Sequence, residues 1–295
     1  MSIRPNVGAV RMLLGEPNSN LRHTLRQAFF REGFRGIDDC ASAEHVREFL
    51  ANKLFDIVVL DADMDGFETL HTIHHVRENK LGKDPFSNII LISDPPRADR
   101  ATQLINSGAD LILIRPVSVQ SILERINHLI DNRHPFVVTH AYIGPERRTG
   151  MRTDSMVIPR IDVPNNLKSR AYGVVDDNQY LSTVGVVWGI IERQRVERLI
   201  YQVGWLSKHL LCENEKDARP TNLKYVAQIE AVLKSLKDWM NDPAHENICN
   251  ASHALMGKAH DFLSLEAEDS ANRVLEIRSD ARALEGMWAK LTPDS

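Results

Sequence analysis

The chain has 295 residues, which suits two domains, and 43% of them are apolar, which supports packed cores and argues against wholesale disorder. The formal net charge of -4 gives no sign of nucleic-acid binding, so we expect no nucleic acid among the partners. No apolar run is long enough to span a bilayer, and we expect no membrane span. The cysteines lie far apart, in no metal-binding spacing, and predict reduced thiols in a cytoplasmic protein. They are Cys40, Cys212 and Cys249.

Short apolar runs alternate with helical periodicity from residue 8 to residue 132. Helix-capping residues precede three of the helical segments, because Asn and Ser side chains accept hydrogen bonds from free first-turn amides. These are Asn18 or Ser19, then Ser42, then Ser118. Strands that alternate with helices of this size imply βαβ crossovers. The sequence therefore predicts an α/β fold, a doubly wound, five-stranded parallel sheet covered on both faces.

The composition changes after this region. Prolines and basic residues punctuate residues 133–183 without a strong period, which predicts an irregular basic linker. From residue 184 to residue 291 the pattern is helical, with breaks that leave about four helices. We expect an all-α helical bundle there, serving output or dimerisation.

Four polar side chains follow or end the predicted strands. Glu16 comes after the first strand, Asp61 ends the third, Ser93 ends the fourth and Arg115 ends the fifth. Such strand ends converge on one crevice in a doubly wound sheet. Carboxylates from two strands can hold Mg²⁺, and a hydroxyl and a cation beside them can bind phosphoryl oxygens. The set therefore suits transfer of a phosphoryl group onto a carboxylate.

With Gly108-Ala109-Asp110 before the last strand and Arg115-Pro116 after it, residues 8–132 resemble a response-regulator receiver domain of the CheY-like kind. The resemblance implies the strand order 2-1-3-4-5. It also implies that Asp61 is the phosphoacceptor, that Ser93 senses the phosphoryl group, and that Glu16 and Asp61 help bind Mg²⁺. Arg115 stands where the family has lysine. We therefore expect a signalling phosphoacceptor rather than a metabolic enzyme.

Two departures from the family pattern affect this site, the arginine at position 115 and a change in the acids expected to bind the metal. The usual pair of acids after the first strand is replaced by Glu16-Pro17, and proline offers no ligand. Asp63 is predicted to supply the missing carboxylate, with Asp65 as the alternative. These departures leave two hypotheses open, a working receiver with a weakened Mg²⁺ site and a pseudo-receiver that keeps the fold for docking.

One helix of the carboxy-terminal region, from Glu246 to Phe262, places apolar residues on one face and His253 roughly opposite them. It resembles the histidine-phosphotransfer (HPt) motif His-x-Leu-Lys-Gly-x-Ala, in which His253, Leu255, Gly257 and Ala259 match. The resemblance implies a phosphohistidine at position 253. The alternative is a solvent-facing histidine on an ordinary bundle helix.

Together these features predict a bacterial two-component response regulator. Asp61 would accept a phosphoryl group from a sensor histidine kinase or a phosphotransfer protein. The helical region would then signal to a downstream protein partner, with homodimerisation through that region. The alternatives are a phosphorylation-independent scaffold and a phosphorelay shuttle that uses His253.

Overall fold

The computed structural model describes residues 5–66, 68–147, 158–173, 175–211, 218–240, 245–264 and 270–291. The chain divides into two compact units. The first comprises Met1–Val137 and Tyr142–Gly189, and the second comprises Val138–Ala141 and Ile190–Ser295.

A five-stranded sheet forms the centre of the first unit. Its strands are β1 (Arg11–Gly15), β2 (Gly36–Cys40), β3 (Ile57–Asp61), β4 (Asn88–Ser93) and β5 (Leu111–Ile114). The helices between and after them are α1 (Ser19–Arg31), α2 (Ala43–Asn52), α3 (Glu68–Arg77), α4 (Ala98–Asn106) and α5 (Val119–Asp131), preceded by a short 3-10 helix, Val7–Ala9. The strand order is β2-β1-β3-β4-β5, and every neighbouring pair is parallel. The predicted fold class and strand order are confirmed.

Alternation along the strands divides the apolar residues between two cores. On β1 and β3, Met12 and Val59 belong to one buried cluster, whereas Leu13 and Val58 belong to the other. Successive strand residues point to opposite faces, so a continuous apolar run buries residues on both sides. Three predicted caps also form, because Asn18, Ser42 and Ser118 accept hydrogen bonds from first-turn amides.

The expectation of an irregular linker is wrong for part of residues 133–183. A two-stranded sheet pairs β6 (Phe136–Val138) with β7 (Ile143–Pro145), and α6 spans Asn166–Tyr172. On α6, Leu167 and Ala171 are buried in the core of the first unit. Residues 148–157 of the predicted linker lie outside the described residues. The domain boundaries 8–132, 133–183 and 184–291 stay a prediction.

A buried carboxylate fastens α6 to the sheet. Asp56, directly before β3, is fully buried and accepts the backbone N–H of Arg11 at 2.7 Å. Asn166 Nδ2 donates to Asp56 Oδ1 at 2.5 Å, and Arg170 Nε lies 2.9 Å from Asp56 Oδ2. A buried charge is tolerated when it is paired and hydrogen-bonded. These contacts make α6 part of the sheet unit.

A second buried network surrounds Arg77 at the end of α3. Its guanidinium donates to the carbonyl oxygens of Gly108, Pro85 and Ser87 and to Asp110 Oδ2, at 2.7, 2.6, 2.9 and 2.8 Å. Arg77 is 1% exposed, and its burial lowers the pKa although the charge of Asp110 opposes that change. One side chain thus joins α3 to two loops of the sheet unit.

Tyr180 forms a third buried polar contact in the first unit. Its hydroxyl donates to Asp84 Oδ2 at 2.9 Å. Burial, together with the charge of Asp84, raises the pKa of Tyr180 far above its usual value. The folded chain therefore keeps a proton that the unfolded chain releases above pH about 10.

We expect this contact to make stability depend on alkaline pH. The contribution is present below pH about 10 and is lost as pH rises further, by up to about 1.4 kcal/mol per pH unit. Tyr180→Phe keeps the ring but has no proton to lose, so its free energy of unfolding should fall less steeply above pH 10. Urea unfolding at a series of pH values measures both slopes, and equal slopes would refute the assignment.

The carboxy-terminal region is helical, as predicted. Its described helices are α7 (Asp177–Lys208), α8 (Ala218–Trp239), α9 (Glu246–Ser264) and α10 (Ser270–Leu291). In the second unit, α9 packs against α8 and α10. The predicted apolar face of α9 is buried at Ile248, Leu255, Ala259 and Phe262.

The two described cysteines, Cys40 and Cys249, are free thiols. Burial raises the pKa of Cys40 to about 11, which makes its reactive thiolate scarce near neutral pH. Cys212 lies outside the described residues. Among the described helices, none combines the length and the apolar character that a membrane crossing requires.

Candidate functional site at the carboxyl ends of the strands

The parallel sheet brings the four predicted site residues to one edge. Glu16 follows β1, Asp61 ends β3, Ser93 ends β4 and Arg115 follows β5. Asp61 is 6% exposed and Glu16 is 3% exposed, so both carboxylates are largely removed from water. Two buried acids side by side require a compensating cation.

Arg115 supplies that cation. Its Nη2 lies 2.6 Å from Asp61 Oδ2 and 3.0 Å from Glu16 Oε2, so a single nitrogen bridges the two acids. Burial on its own would lower the pKa of Arg115, but the hydrogen bond to Asp61 and the two negative charges raise it. Burial, with the charge of Asp61, raises the pKa of Glu16. The guanidinium keeps its charge under all physiological conditions.

The other carboxylate oxygen of Asp61 and both carboxylate oxygens of Asp63 also accept hydrogen bonds. Asp61 Oδ1 accepts the backbone N–H of Asp63 at 2.7 Å. The Asp63 carboxylate accepts two hydrogen bonds. Arg100 Nη2 donates to Oδ1 at 3.1 Å, and the Ser93 hydroxyl donates to Oδ2 at 3.4 Å. Ser93 Oγ also lies within hydrogen-bond distance of the Asp94 carbonyl oxygen, at 2.9 Å. The side chain of Asp63 therefore faces α4 and Ser93, and its backbone amide donates to Asp61.

Arg100, in the first turn of α4, was not identified by sequence reasoning. Its Nη2 donates to the carbonyl oxygens of Ala62 and Gly66, at 2.7 and 3.2 Å, as well as to Asp63. A positive charge in the first turn is unfavourable beside the positive end of the helix dipole. An arginine at such an unfavourable position indicates, from the sequence alone, that its side chain has a hydrogen-bond acceptor elsewhere in the fold.

Asp65 does not replace the missing metal ligand. Its Oδ2 accepts the backbone N–H of Ala43 at 2.6 Å, at the start of α2. Asp65 has φ +52° and Gly66 has φ +68°, both in the left-handed region. Glycine adopts this conformation without strain, and aspartate tolerates it better than most residues. The turn thus directs Asp65 toward α2.

The residues at this edge do not fit a Mg²⁺ ion as they are arranged. Glu16 and Asp61 share a guanidinium, and the predicted third ligand, Asp63, is held by Arg100. Over the described ranges of the chain, no group of three or more His, Cys, Asp or Glu side chains is placed to hold a metal ion. The predicted Mg²⁺ set of Glu16, Asp61 and Asp63 therefore has no support from the geometry.

His253, the predicted phosphohistidine, is exposed on α9. There is open space beside Gly257, one turn further along the same helix. Lys258 pairs with Asp280 of α10 at 2.7 Å. The HPt resemblance stays a prediction.

Comparison with known proteins gives a family for the sheet unit. The model of the response regulator receiver domain matches residues 13–127. The amino-terminal part of this chain is a receiver domain. The carboxy-terminal helical region lies outside this match.

Relatives also match over part of the chain. The transcriptional regulatory protein TctD of Salmonella typhimurium, in strains SL1344 and LT2, is 31% identical over 124 residues, which cover 41% of this chain and 52% of TctD. This chain thus spans about half the length of the curated relatives it matches. Among solved structures, a CheY-like receiver protein from Methanospirillum hungatei is 18% identical, with 40% and 91% of the two chains covered and a TM-score of 0.37. A receiver protein from Pseudomonas putida is 21% identical, with 43% and 98% covered and a TM-score of 0.36.

Proposed function

We propose that this chain is a bacterial two-component response regulator that works through protein–protein contacts. The receiver domain contacts a histidine kinase or phosphotransfer protein, and the helical region contacts a downstream protein. The receiver match supports the first part. The separate apolar core of the helical unit supports the second, because that unit has its own stable packing.

Within this function, the geometry favours a receiver that works without phosphorylation. The observation that carries this proposal is the position of Arg115 Nη2 between Asp61 Oδ2 and Glu16 Oε2. The guanidinium of Arg115 already compensates the negative charge of the two acids, and it pairs with an oxygen of each. The receiver domain then serves as a scaffold whose surface is read directly by its partner.

Phosphorylation of Asp61 is the second candidate, and a specific observation favours it. The sheet brings Asp61, Ser93 and Arg115 to one edge, as the family resemblance implies for the phosphoacceptor and its neighbours. In this candidate, a phosphohistidine donor transfers its phosphoryl group to Asp61. The exposed His253 supports a third candidate, a phosphorelay shuttle.

Intact mass after incubation with a small-molecule phosphodonor and Mg²⁺, or with a phosphorylated histidine kinase, separates the candidates. We expect no added phosphoryl group on the wild-type chain, because the oxygens of Asp61 are engaged by Arg115 and the Asp63 amide. A separate, competent receiver domain in the same tube verifies the donor. One phosphoryl group on the wild type that is lost in Asp61→Asn would establish the second candidate. A group that persists in Asp61→Asn but is lost in His253→Gln would establish the third.

A further inference from the structure

We propose that the receiver domain binds a small phosphate-bearing molecule in a cavity at the amino ends of its strands. The cavity has a volume of about 580 Å³ and lies among the starts of β1 and β2, the end of α2 and the loop before β4. Ligand pockets for small molecules have volumes of this order. Asp61 lies at the other end of β3, so this cavity is separate from the candidate functional site.

The charge around the cavity favours an anion. Four cationic side chains line it, against two carboxylates. The cations are Arg11, Arg35, Lys53 and Lys83, and the carboxylates are Asp38 and Asp177. This is an excess of two positive charges in a concave site, where a charge of one sign concentrates ligands of the opposite sign.

Ion pairs within the cavity show which cations are available. Asp177 lies between Arg11 and Arg170, at 2.9 and 2.5 Å. Lys53 Nζ lies 3.0 Å from both oxygens of Asp38. Both carboxylates are therefore neutralised by neighbours, and the excess charge belongs to the remaining two cations.

Those two are Arg35 and Lys83. Arg35 donates through Nη1 to the carbonyl oxygens of Phe30 and Phe34, at 2.6 and 3.2 Å, and stacks over the ring of Phe30 at 4.3 Å. These contacts fix the guanidinium and leave its charge without a counter-ion. Within the described parts of the chain, neither Arg35 nor Lys83 has a carboxylate partner. An oriented guanidinium fork and an ammonium that line the same cavity are a suitable pair for phosphate oxygens.

The wall beside these cations is apolar. Ile37 and Leu54 line the cavity and are partly buried, and Asn52 adds a polar residue to the lining. A ligand that matches both surfaces carries phosphate groups on an apolar or aromatic body. A nucleotide has this chemistry and a suitable size.

Fluorescence titration of the full chain with trinitrophenyl-ATP, followed by displacement with ATP and with adenosine, tests the proposal. We expect saturable binding that ATP reverses and adenosine does not, and weaker binding at higher salt, because screening reduces attraction between charges. The double variant R35Q/K83Q should bind about tenfold or more weakly, because two charge-assisted contacts are lost. Circular dichroism checks that this variant is folded.

A matched control removes the same charge elsewhere. The variant R125Q/K234Q changes two exposed cations outside the cavity and should bind as the wild type does. Asp61→Asn should also bind normally, so this proposal and the proposed function fail separately. The inference is overturned if the wild type shows no saturable binding, if adenosine displaces the probe as well as ATP, or if R35Q/K83Q binds no more weakly than R125Q/K234Q.

Discussion

Replacement of Arg77 by methionine is expected to lower the free energy of unfolding of the receiver domain by about 3–5 kcal/mol. The guanidinium is fully buried and serves four acceptors, three backbone carbonyls and the Asp110 carboxylate. Methionine fills much of the volume but donates no hydrogen bond. The buried carbonyls would remain unpaired, and each unpaired group costs about 1–3 kcal/mol.

Hydrogen exchange of the β4 amides in the full chain measures this loss without requiring the whole chain to unfold in one step. Arg125→Met is the control, because Arg125 is exposed on α5 and the change should stay within about 0.5 kcal/mol. Arg133 also reaches Asp110, with Nε 2.8 Å from Oδ1, so Asp110 itself keeps one partner. Protection of β4 that is unchanged in Arg77→Met would mean that the network contributes little to stability.

Leu167→Ala is expected to destabilise the receiver domain by about 2–5 kcal/mol, although residue 167 lies well beyond the last helix of the common receiver fold. Leu167 is fully buried and packs in the same core as Val10 and Ile130. Truncation removes buried methyl groups and leaves a cavity beneath α6. A residue in a free linker would give no such effect.

The neighbouring exposed residue provides the control. Lys168→Ala, also on α6, should change stability by no more than about 0.5 kcal/mol. Hydrogen exchange of the strand amides again gives the comparison. Equal protection in Leu167→Ala and Lys168→Ala would show that α6 is not part of the folded receiver domain in solution.

The spacing of apolar residues and the presence of helix-capping residues are local features of a sequence. They were sufficient to predict the strands and helices from β1 to α5. Buried strands such as β3 and β4 appear as continuous apolar runs, and Ser42 and Ser118 occupy the positions where helices need an acceptor. The convergence of Asp61 and Arg115 follows from parallel topology alone. These parts of the fold were predictable.

Tertiary partners decided the parts that were not predictable. Helix α6 is seven residues long and has no clear period, and its position depends on the buried carboxylate of Asp56, which is remote in sequence. The direction of Asp65 depends on an open amide at Ala43 in another helix. Asp63 was expected to bind a metal, but its carboxylate forms an ion pair with Arg100. The spacing of residues along the sequence does not show which of several possible donors a carboxylate will contact.

The most direct test of the central claim is a titration of Mg²⁺ into the isotope-labelled full chain, with the amide signals of Asp61 and Asp63 followed by NMR. The claim is that Arg115 occupies the place of a metal between Glu16 and Asp61. It predicts that these signals do not move in the wild type. In Arg115→Ser, which exposes two carboxylates without their cation, the signals should move saturably. Saturable movement in the wild type over the same concentrations would contradict the claim. It would favour the candidate in which Asp61 is phosphorylated.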